Sequence, residues 1–190
     1  MATVLDTSQR ILDIAERLVQ TRGYNGFSYA DIAEALGVTK ASLHYHFPSK
    51  ADLGKHLIER YERNFVAALA RIDAQAADAR QRLRRYAAIY GDVLRDDRMC
   101  LCGMLAAEFG TLPKPMREDM RHFFDVNERW LAEILEQGRR EKKLKFTGTA
   151  VDAARGLVGG LEGAMMIARS YGEPARFKAA AERLLADLGV

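Results

Sequence analysis

The chain has 190 residues, of which 48% are hydrophobic and 29% are charged, and its net charge is only +3. That is enough apolar material for the core of one large domain or two small ones. Two cysteines exclude a disulfide-stabilised scaffold. No apolar run approaches the roughly 20 residues that span a bilayer, and the first ten residues lack the pattern of a signal peptide. We therefore expect a soluble, cytoplasmic protein without a membrane partner.

The first predicted helix is capped by Thr7 or Ser8, carries an apolar stripe and ends at Arg22-Gly23. A turn over residues 24–26 follows. Ser28 and Asp31 then form the Ser-x-x-acid pattern that caps the start of a second helix. Residues 7–36 are thus predicted to form two helices joined by a short turn.

Two signals mark a third short helix directly after the second. Gly37 suits the left-handed conformation that ends a helix, and Thr39 can cap the next one. Pro48 stops this third helix. A short helix rich in hydrogen-bond donors and held by a glycine turn is typical of helix-turn-helix DNA recognition.

The local charge of this segment differs from that of the whole chain. The first 63 residues carry eight Lys/Arg and eight Asp/Glu, yet no acidic residue lies between Ala35 and Ala51. Lys40, Lys50 and two histidines lie in this acid-free stretch. Phosphate binding depends on such a local positive surface more than on the net charge.

All later segments show helical periodicity, which predicts an all-α protein of about nine helices. A helix over residues 49–74, capped by Ser49 and Asp52, is predicted to connect two domains. These are a helix-turn-helix DNA-binding domain over residues 1–48 and a helical effector-binding and dimerisation domain over residues 49–190. The remaining helices are predicted at 78–97, 99–109, 116–142, 150–169 and 175–188.

The stretch GYNGFSYADIAEALGVTKASLHYHFPSKADL is similar to the N-terminal signature of the TetR family of bacterial transcriptional regulators. The similarity extends over about residues 8–60, and the rest of the chain resembles the family only in its helical plan. The resemblance implies a homodimer that binds double-stranded DNA at a palindromic operator and leaves it when a small-molecule inducer binds. It implies no cofactor, no metal and no catalytic activity.

The positions that face DNA in that family fall on eight residues of this chain. Those suited to phosphate oxygens are Ser28, Thr39, Tyr45, His46 and Lys50. Those suited to base edges are Lys40, Ser42 and His44. The alternatives are that Tyr45 packs beneath the turn and that His46 only caps a backbone carbonyl.

An inducer pocket is expected among the helices of the second domain. Its candidate lining consists of large, soft or polar side chains: Tyr86, Tyr90, Met99, Cys100, Cys102, Met104, Glu108, Phe109, Phe123, Trp130, Met165 and Met166. For each apolar member the alternative is an ordinary core position. Glu108 is either a polar anchor in this pocket or part of an exposed helix end.

Cys100 and Cys102 form a C-x-C motif at the start of the predicted 99–109 helix. Thiols near a helix N-terminus form the reactive thiolate more readily, which suggests a sensor of oxidants or electrophiles. The alternative is a pair of buried structural cysteines. No nearby histidine completes a metal site.

Four glycines in the 150–169 helix predict a close backbone contact: Gly156, Gly159, Gly160 and Gly163. Each costs helix stability, about 1 kcal/mol against alanine, so a tight contact is the expected compensation. That contact lies either inside one subunit or across a dimer axis.

The leading hypothesis is therefore a ligand-responsive DNA-binding repressor. A competing hypothesis from another class is an all-helical thiol redox protein or enzyme that uses Cys100 and Cys102. A third is an adaptor whose Lys40–Lys50 surface binds an acidic protein.

Overall fold

The structure is a computed structural model that describes residues 4–190, with side chains described from residue 7 onward. In this range the chain forms nine α-helices and one 3-10 turn, without a strand, which confirms the predicted all-α class. The helices are α1 Val4–Arg22, α2 Tyr29–Leu36, α3 Lys40–His46, α4 Lys50–Gln75, α5 Ala79–Arg95, α6 Leu101–Ala107, α7 Lys114–Arg140, α8 Ala150–Tyr171 and α9 Pro174–Ala186. The 3-10 turn is Phe109–Thr111.

The predicted helix caps of the helix-turn-helix are confirmed. Ser28 and Asp31 form a complete capping box at the start of α2, and Gly37 ends that helix with a left-handed φ of 66°. The Thr39 side chain accepts the N–H of Ser42 at the start of α3. Because these signals are local, they act without help from distant parts of the chain.

Several predicted helix ends are wrong by a few residues. α1 already starts at Val4, before its predicted cap at Thr7 or Ser8. The apolar segment 99–109 divides into α6 and the 3-10 turn. The helix predicted at 116–142 runs from Lys114 to Arg140. These ends lack a strong local signal, and helix ends without one are set by tertiary packing.

The chain divides into two compact units. Unit 1 contains residues 1–63 and 100–123, and unit 2 contains residues 64–99 and 124–190. In unit 1, α1 packs against α2 and α6, and α2 packs against α3. In unit 2, α5, α8 and α9 pack against one another. The boundary predicted at residue 48 stays a prediction, and α6 belongs to the same compact unit as the helix-turn-helix.

Candidate nucleic-acid interface and effector region

The exposed side of α3 carries the predicted DNA-facing side chains. Leu43 and Phe47 anchor the helix in the core of unit 1, with exposures of 0% and 4%. Lys40, at the start of the helix, is exposed, and the ring of Tyr45, two residues after Leu43, is 76% exposed. Tyr45 therefore does not pack beneath the turn. A large aromatic ring held in solvent on a short helix is available for a partner.

His44 interacts with the backbone behind α3. Its Nδ1 lies 3.1 Å from the carbonyl oxygen of Pro48, and its ring packs 4.7 Å from that of Tyr29. Since a carbonyl only accepts hydrogen bonds, Nδ1 is the protonated nitrogen and Nε2 of the neutral ring is left as an acceptor. A carbonyl contact was the alternative considered for His46, and the His46 ring lies edge-on to that of Tyr45, at 5.2 Å.

Tyr29, a buried residue of α2, stabilises the C-terminal end of α3. Its hydroxyl donates a 2.8 Å hydrogen bond to the carbonyl oxygen of Phe47, inside the core of the unit. Burial raises the pKa of Tyr29 to about 12, and the negative charge of Asp52 adds to the shift. The phenol is therefore a permanent donor at physiological pH and fixes the end of α3.

Lys50 has an internal partner in this structure. Its Nζ donates a short hydrogen bond to the carbonyl oxygen of Phe27 and lies over the rings of Tyr24 and Phe27, at 4.7 and 4.2 Å. Burial lowers the pKa of Lys50, while the carboxylate of Glu108 opposes that shift. The lysine expected to contact phosphate thus also ties the start of α4 to the turn between α1 and α2.

A surface cavity of about 360 Å³ opens between the starts of α2, α3 and α4. Its polar lining includes Ser28, Lys40, His44 and Lys50, all predicted DNA-facing residues. The amide groups at the start of α2 lie beside it, and such amides favour anions. The cavity brings together the groups that a phosphate oxygen needs.

The predicted effector residues fall into both compact units. In unit 2, Tyr86 and Tyr90 are buried, and their hydroxyls lie 3.0 Å apart. The Tyr86 hydroxyl also donates to Oδ1 of Asn127, at 3.1 Å. Trp130 stacks on Tyr86, 5.7 Å away, and its indole N–H donates to Asp73. These residues form a buried polar cluster surrounded by aromatic rings.

The other effector candidates have more varied surroundings. Met99 and Met165 are core residues of unit 2, whereas Met166 is 51% exposed. Met166 follows a buried residue on α8, so the helical period turns it outward, and its place in an effector pocket stays a prediction. In unit 1, Cys100 and Cys102 are buried thiols, and Met104 is half-buried.

The aromatic candidates of unit 1 and Glu108 also have defined partners. Phe123 is buried and packs 5.5 Å from the ring of Tyr61. The guanidinium groups of Arg117 and Arg121 both lie 5.0 Å from the ring of Phe109. Glu108 is a polar anchor for the turn that follows α1, because its carboxylate accepts two backbone N–H groups of that turn.

Two family models match this chain. The model described as "Bacterial regulatory proteins, tetR family" matches residues 11–57. The model described as "Tetracyclin repressor-like, C-terminal domain" matches residues 65–184, more than half of the chain. The chain belongs to the TetR family. It is accordingly a transcriptional regulator, and the hypotheses of a redox enzyme or an adaptor are set aside.

Solved structures and curated relatives agree with this assignment. A TetR-family regulator from Agrobacterium tumefaciens superimposes with a TM-score of 0.95 and 33% identity, covering 99% of this chain and 100% of that one. The repressor NemR of Escherichia coli K12 is 27% identical over 79% of this chain and 77% of its own. The match to AcrR of Shigella flexneri, 41% identical, spans 59 residues, which is 31% of this chain and 27% of AcrR.

Sequence reasoning missed two members of the buried cluster of this TetR-family regulator. Asn127 is 1% exposed, and Phe65 packs edge-on to Tyr86 and Tyr90. A signal for Asn127 was present, because it lies four residues from both Phe123 and Leu131 in the apolar stripe of α7. A polar residue in such a stripe has to find a buried partner.

The four glycines of α8 in the regulator differ in their surroundings. A Cβ added to Gly160 would lie 2.8 Å from the Leu184 side chain of α9, so Gly160 serves packing inside unit 2. A Cβ on Gly156, Gly159 or Gly163 would meet no described atom within 4 Å. Three of the four are therefore open on the surface of the single chain.

The described residues 4–190 include no helix that is both long and apolar enough to cross a membrane. Within the same range no three His, Cys, Asp or Glu side chains come together as a metal site would require.

Proposed function

We propose that this TetR-family regulator binds a palindromic operator in cytoplasmic DNA as a homodimer and represses transcription until a small molecule binds. The observation that carries the proposal is the exposed face of α3, where Lys40 and Tyr45 project from a helix whose other side is buried. A major groove admits such a helix, and the positive side chains around it favour the phosphate backbone.

The roles of the DNA-facing residues follow from their geometry. Lys40 and Ser42, on the first turn of α3, are proposed to read base edges. His44, whose Nδ1 contacts the Pro48 carbonyl, is proposed to read a base edge through its other ring nitrogen, Nε2. Ser28, Thr39, Tyr45 and His46 are proposed to contact phosphates. The surface cavity between the starts of α2, α3 and α4 is called the phosphate cavity below. Lys50 is proposed to form the edge of this cavity rather than to extend far into solvent.

The buried cluster of unit 2 supports a small-molecule effector. Tyr86, Tyr90 and Asn127 place three polar groups among aromatic rings. Ligand sites in proteins combine apolar walls with a few fixed polar groups of this kind. We propose that the effector is an uncharged or weakly polar aromatic molecule that exchanges hydrogen bonds with these hydroxyl and amide groups.

A thiol-reactive effector is the second candidate. Cys100 and Cys102 flank the start of α6, which packs against α1 of the DNA-binding unit. Modification of a buried thiol would displace that helix. Cys→Ser variants, titrated on DNA with and without N-ethylmaleimide, test this, because release that persists in both variants would rule the thiols out.

DNA binding is tested by a footprint and titration on the DNA that flanks the gene of the regulator. Lys40→Ala and Tyr45→Ala should each weaken specific binding by about tenfold or more, and Lys40→Ala should flatten the salt dependence. Lys114→Ala is the matched control, because that lysine is exposed and paired only on the surface of α7. Equal affinity for all duplexes, or an equal loss in the control, would contradict the proposal.

A further inference from the structure

Glu108, the residue that ends α6, makes three hydrogen bonds to residues more than 80 positions earlier in the chain. Its carboxylate accepts the backbone N–H of Tyr24 at 2.5 Å and that of Asn25 at 3.1 Å. It also accepts the side-chain amide of Asn25 at 3.1 Å. All these residues belong to unit 1, so the contact lies inside one compact body.

The turn after α1 is built as an anion-binding site. Gly23 has a left-handed φ of 84°, and the N–H groups of the next two residues donate to the two oxygens of one carboxylate, Oε2 and Oε1 of Glu108. Successive amides after such a residue form a concave site for an anion. A Cβ on Gly23 would lie 3.0 Å from the carboxylate, so any larger residue would crowd the anion as well as strain the backbone.

A second set of bonds fixes Glu108 in place. The Asn25 amide also donates to the hydroxyl of Thr111, at 2.7 Å. That hydroxyl donates in turn to the carbonyl oxygen of Glu108, at 2.9 Å. The end of α6 and the turn after α1 are thus joined by side-chain and main-chain bonds together.

The same turn leads directly to the phosphate cavity. Two residues after Asn25, the carbonyl of Phe27 receives the Lys50 ammonium group, and Ser28 begins α2. The negative charge of Glu108 also favours the charged form of Lys50 against the effect of burial on its pKa. Removal of the Glu108 carboxylate would release the turn that holds Phe27 and Ser28, and would therefore disturb the position of the cavity wall.

We propose that Glu108 is a positioning residue for operator binding: its carboxylate fills the anion site of the Gly23–Asn25 turn and thereby fixes Ser28 and Lys50. The proposal rests on the proposed function as a DNA-binding regulator. It assigns to α6 a defined polar connection to the DNA-binding helices, so that a shift at the end of α6 changes the phosphate cavity.

The decisive experiment exchanges the hydrogen-bond donor, the Asn25 side chain, and the acceptor, the Glu108 side chain. Glu108→Gln keeps the shape but loses the charge, and Asn25→Asp places two carboxylates together. Each should weaken operator binding by roughly tenfold. In the double variant the new amide can donate to the new carboxylate, but the backbone N–H of residue 25 loses its acceptor and the site no longer holds an anion. Its affinity should therefore stay about as low as that of Glu108→Gln.

Glu118→Gln is the matched control, because that carboxylate of the same unit forms only an exposed pair with Lys114. Amide proton shifts of Tyr24 and Asn25, recorded by NMR, report the loss of the anion independently of DNA. Thermal unfolding of every variant separates positioning from general stability.

If the wild type binds no operator, the proposed function fails. If the wild type binds and Glu108→Gln binds equally well, only the role of Glu108 is overturned. The role is also overturned if the double variant regains its affinity while the amide proton shifts of Tyr24 and Asn25 stay displaced. It is equally overturned if affinity follows the unfolding temperature across all variants, because the contact would then serve stability alone.

Discussion

At the scale of single residues, the DNA-facing surface depends on side chains that do not face DNA. Tyr29, buried beneath α3, holds the carbonyl of Phe47, and His44 contacts the carbonyl of Pro48. These two bonds fix the end of the helix that carries Tyr45. The residue types indicated which side chains could contact a phosphate, but only the structure shows which other residues hold them in place.

The phenol of Tyr29 gives a prediction for alkaline pH. Its pKa is about 12 in the folded protein, above the ordinary value near 10. The folded state therefore keeps a proton that the unfolded chain loses, and stability present below pH 10 should fall as the pH rises towards 12. Ultraviolet titration of phenolate should show a late-titrating component that is smaller by one tyrosine in Tyr29→Phe. A Tyr29 midpoint near 10 would contradict the buried hydrogen bond.

At the scale of helices, the elements that the sequence predicted well are those with local signals. Ser28 with Asp31, Gly37 and Thr39 act within a few residues of the backbone they cap, so the pattern is sufficient. The helix-turn-helix of the site was predictable for the same reason.

Features that depend on distant partners were not predictable. The acceptors of Lys50 and the donors to Glu108 lie 23 and more than 80 residues away. Gly160 faces Leu184 of another helix, whereas Gly159, one residue earlier, faces open space. The sequence has a glycine at both positions, so only the packing of α9 on α8 distinguishes them.

Two similar helix caps, one in each unit, make it possible to distinguish an effect on stability from an effect on DNA binding. Ser28 caps α2 beside the phosphate cavity, and Thr149 caps α8 in unit 2 with the same kind of acidic partner, Asp152. Each substitution by alanine should lower the free energy of unfolding by about 1 kcal/mol. Only Ser28→Ala should also weaken operator binding.

The measurements are chemical denaturation and DNA titration on both variants. Ser28→Thr, which keeps the hydroxyl, should restore both properties. Equal DNA affinity of Ser28→Ala and Thr149→Ala would show that the start of α2 takes no part in phosphate contact.

At the scale of the whole molecule, α8 presents an apolar surface that the single chain leaves open. Met166, Ile167 and Tyr171 are 51%, 57% and 61% exposed, and Gly156, Gly159 and Gly163 have open space above them. Exposed apolar side chains beside backbone without side chains allow a second helix to approach closely. The proposed palindromic operator needs two recognition helices related by a two-fold axis, and we predict that this surface supplies the contact for such a dimer.

Gly159→Arg tests that contact. In the single chain a Cβ at this position meets no described atom within 4 Å, and α8 loses a destabilising glycine, so the monomer should fold and be at least as stable as the wild type. Across a two-fold axis the substitution would bring two cations and two bulky side chains together, and the dimer should dissociate. Sedimentation equilibrium should then show a monomer, and affinity for a full palindrome should fall to that for a half-site.

Ala70→Arg, on an exposed position of α4 in the same unit, adds an equal charge and should leave the mass unchanged. Gly160→Arg should behave differently from both, because it collides with Leu184 and lowers the stability of unit 2 itself. A Gly159→Arg protein that remains a dimer would place the two-fold contact on another surface. The three open glycines of α8 would then need another explanation, since their cost in helix stability would bring no closer contact.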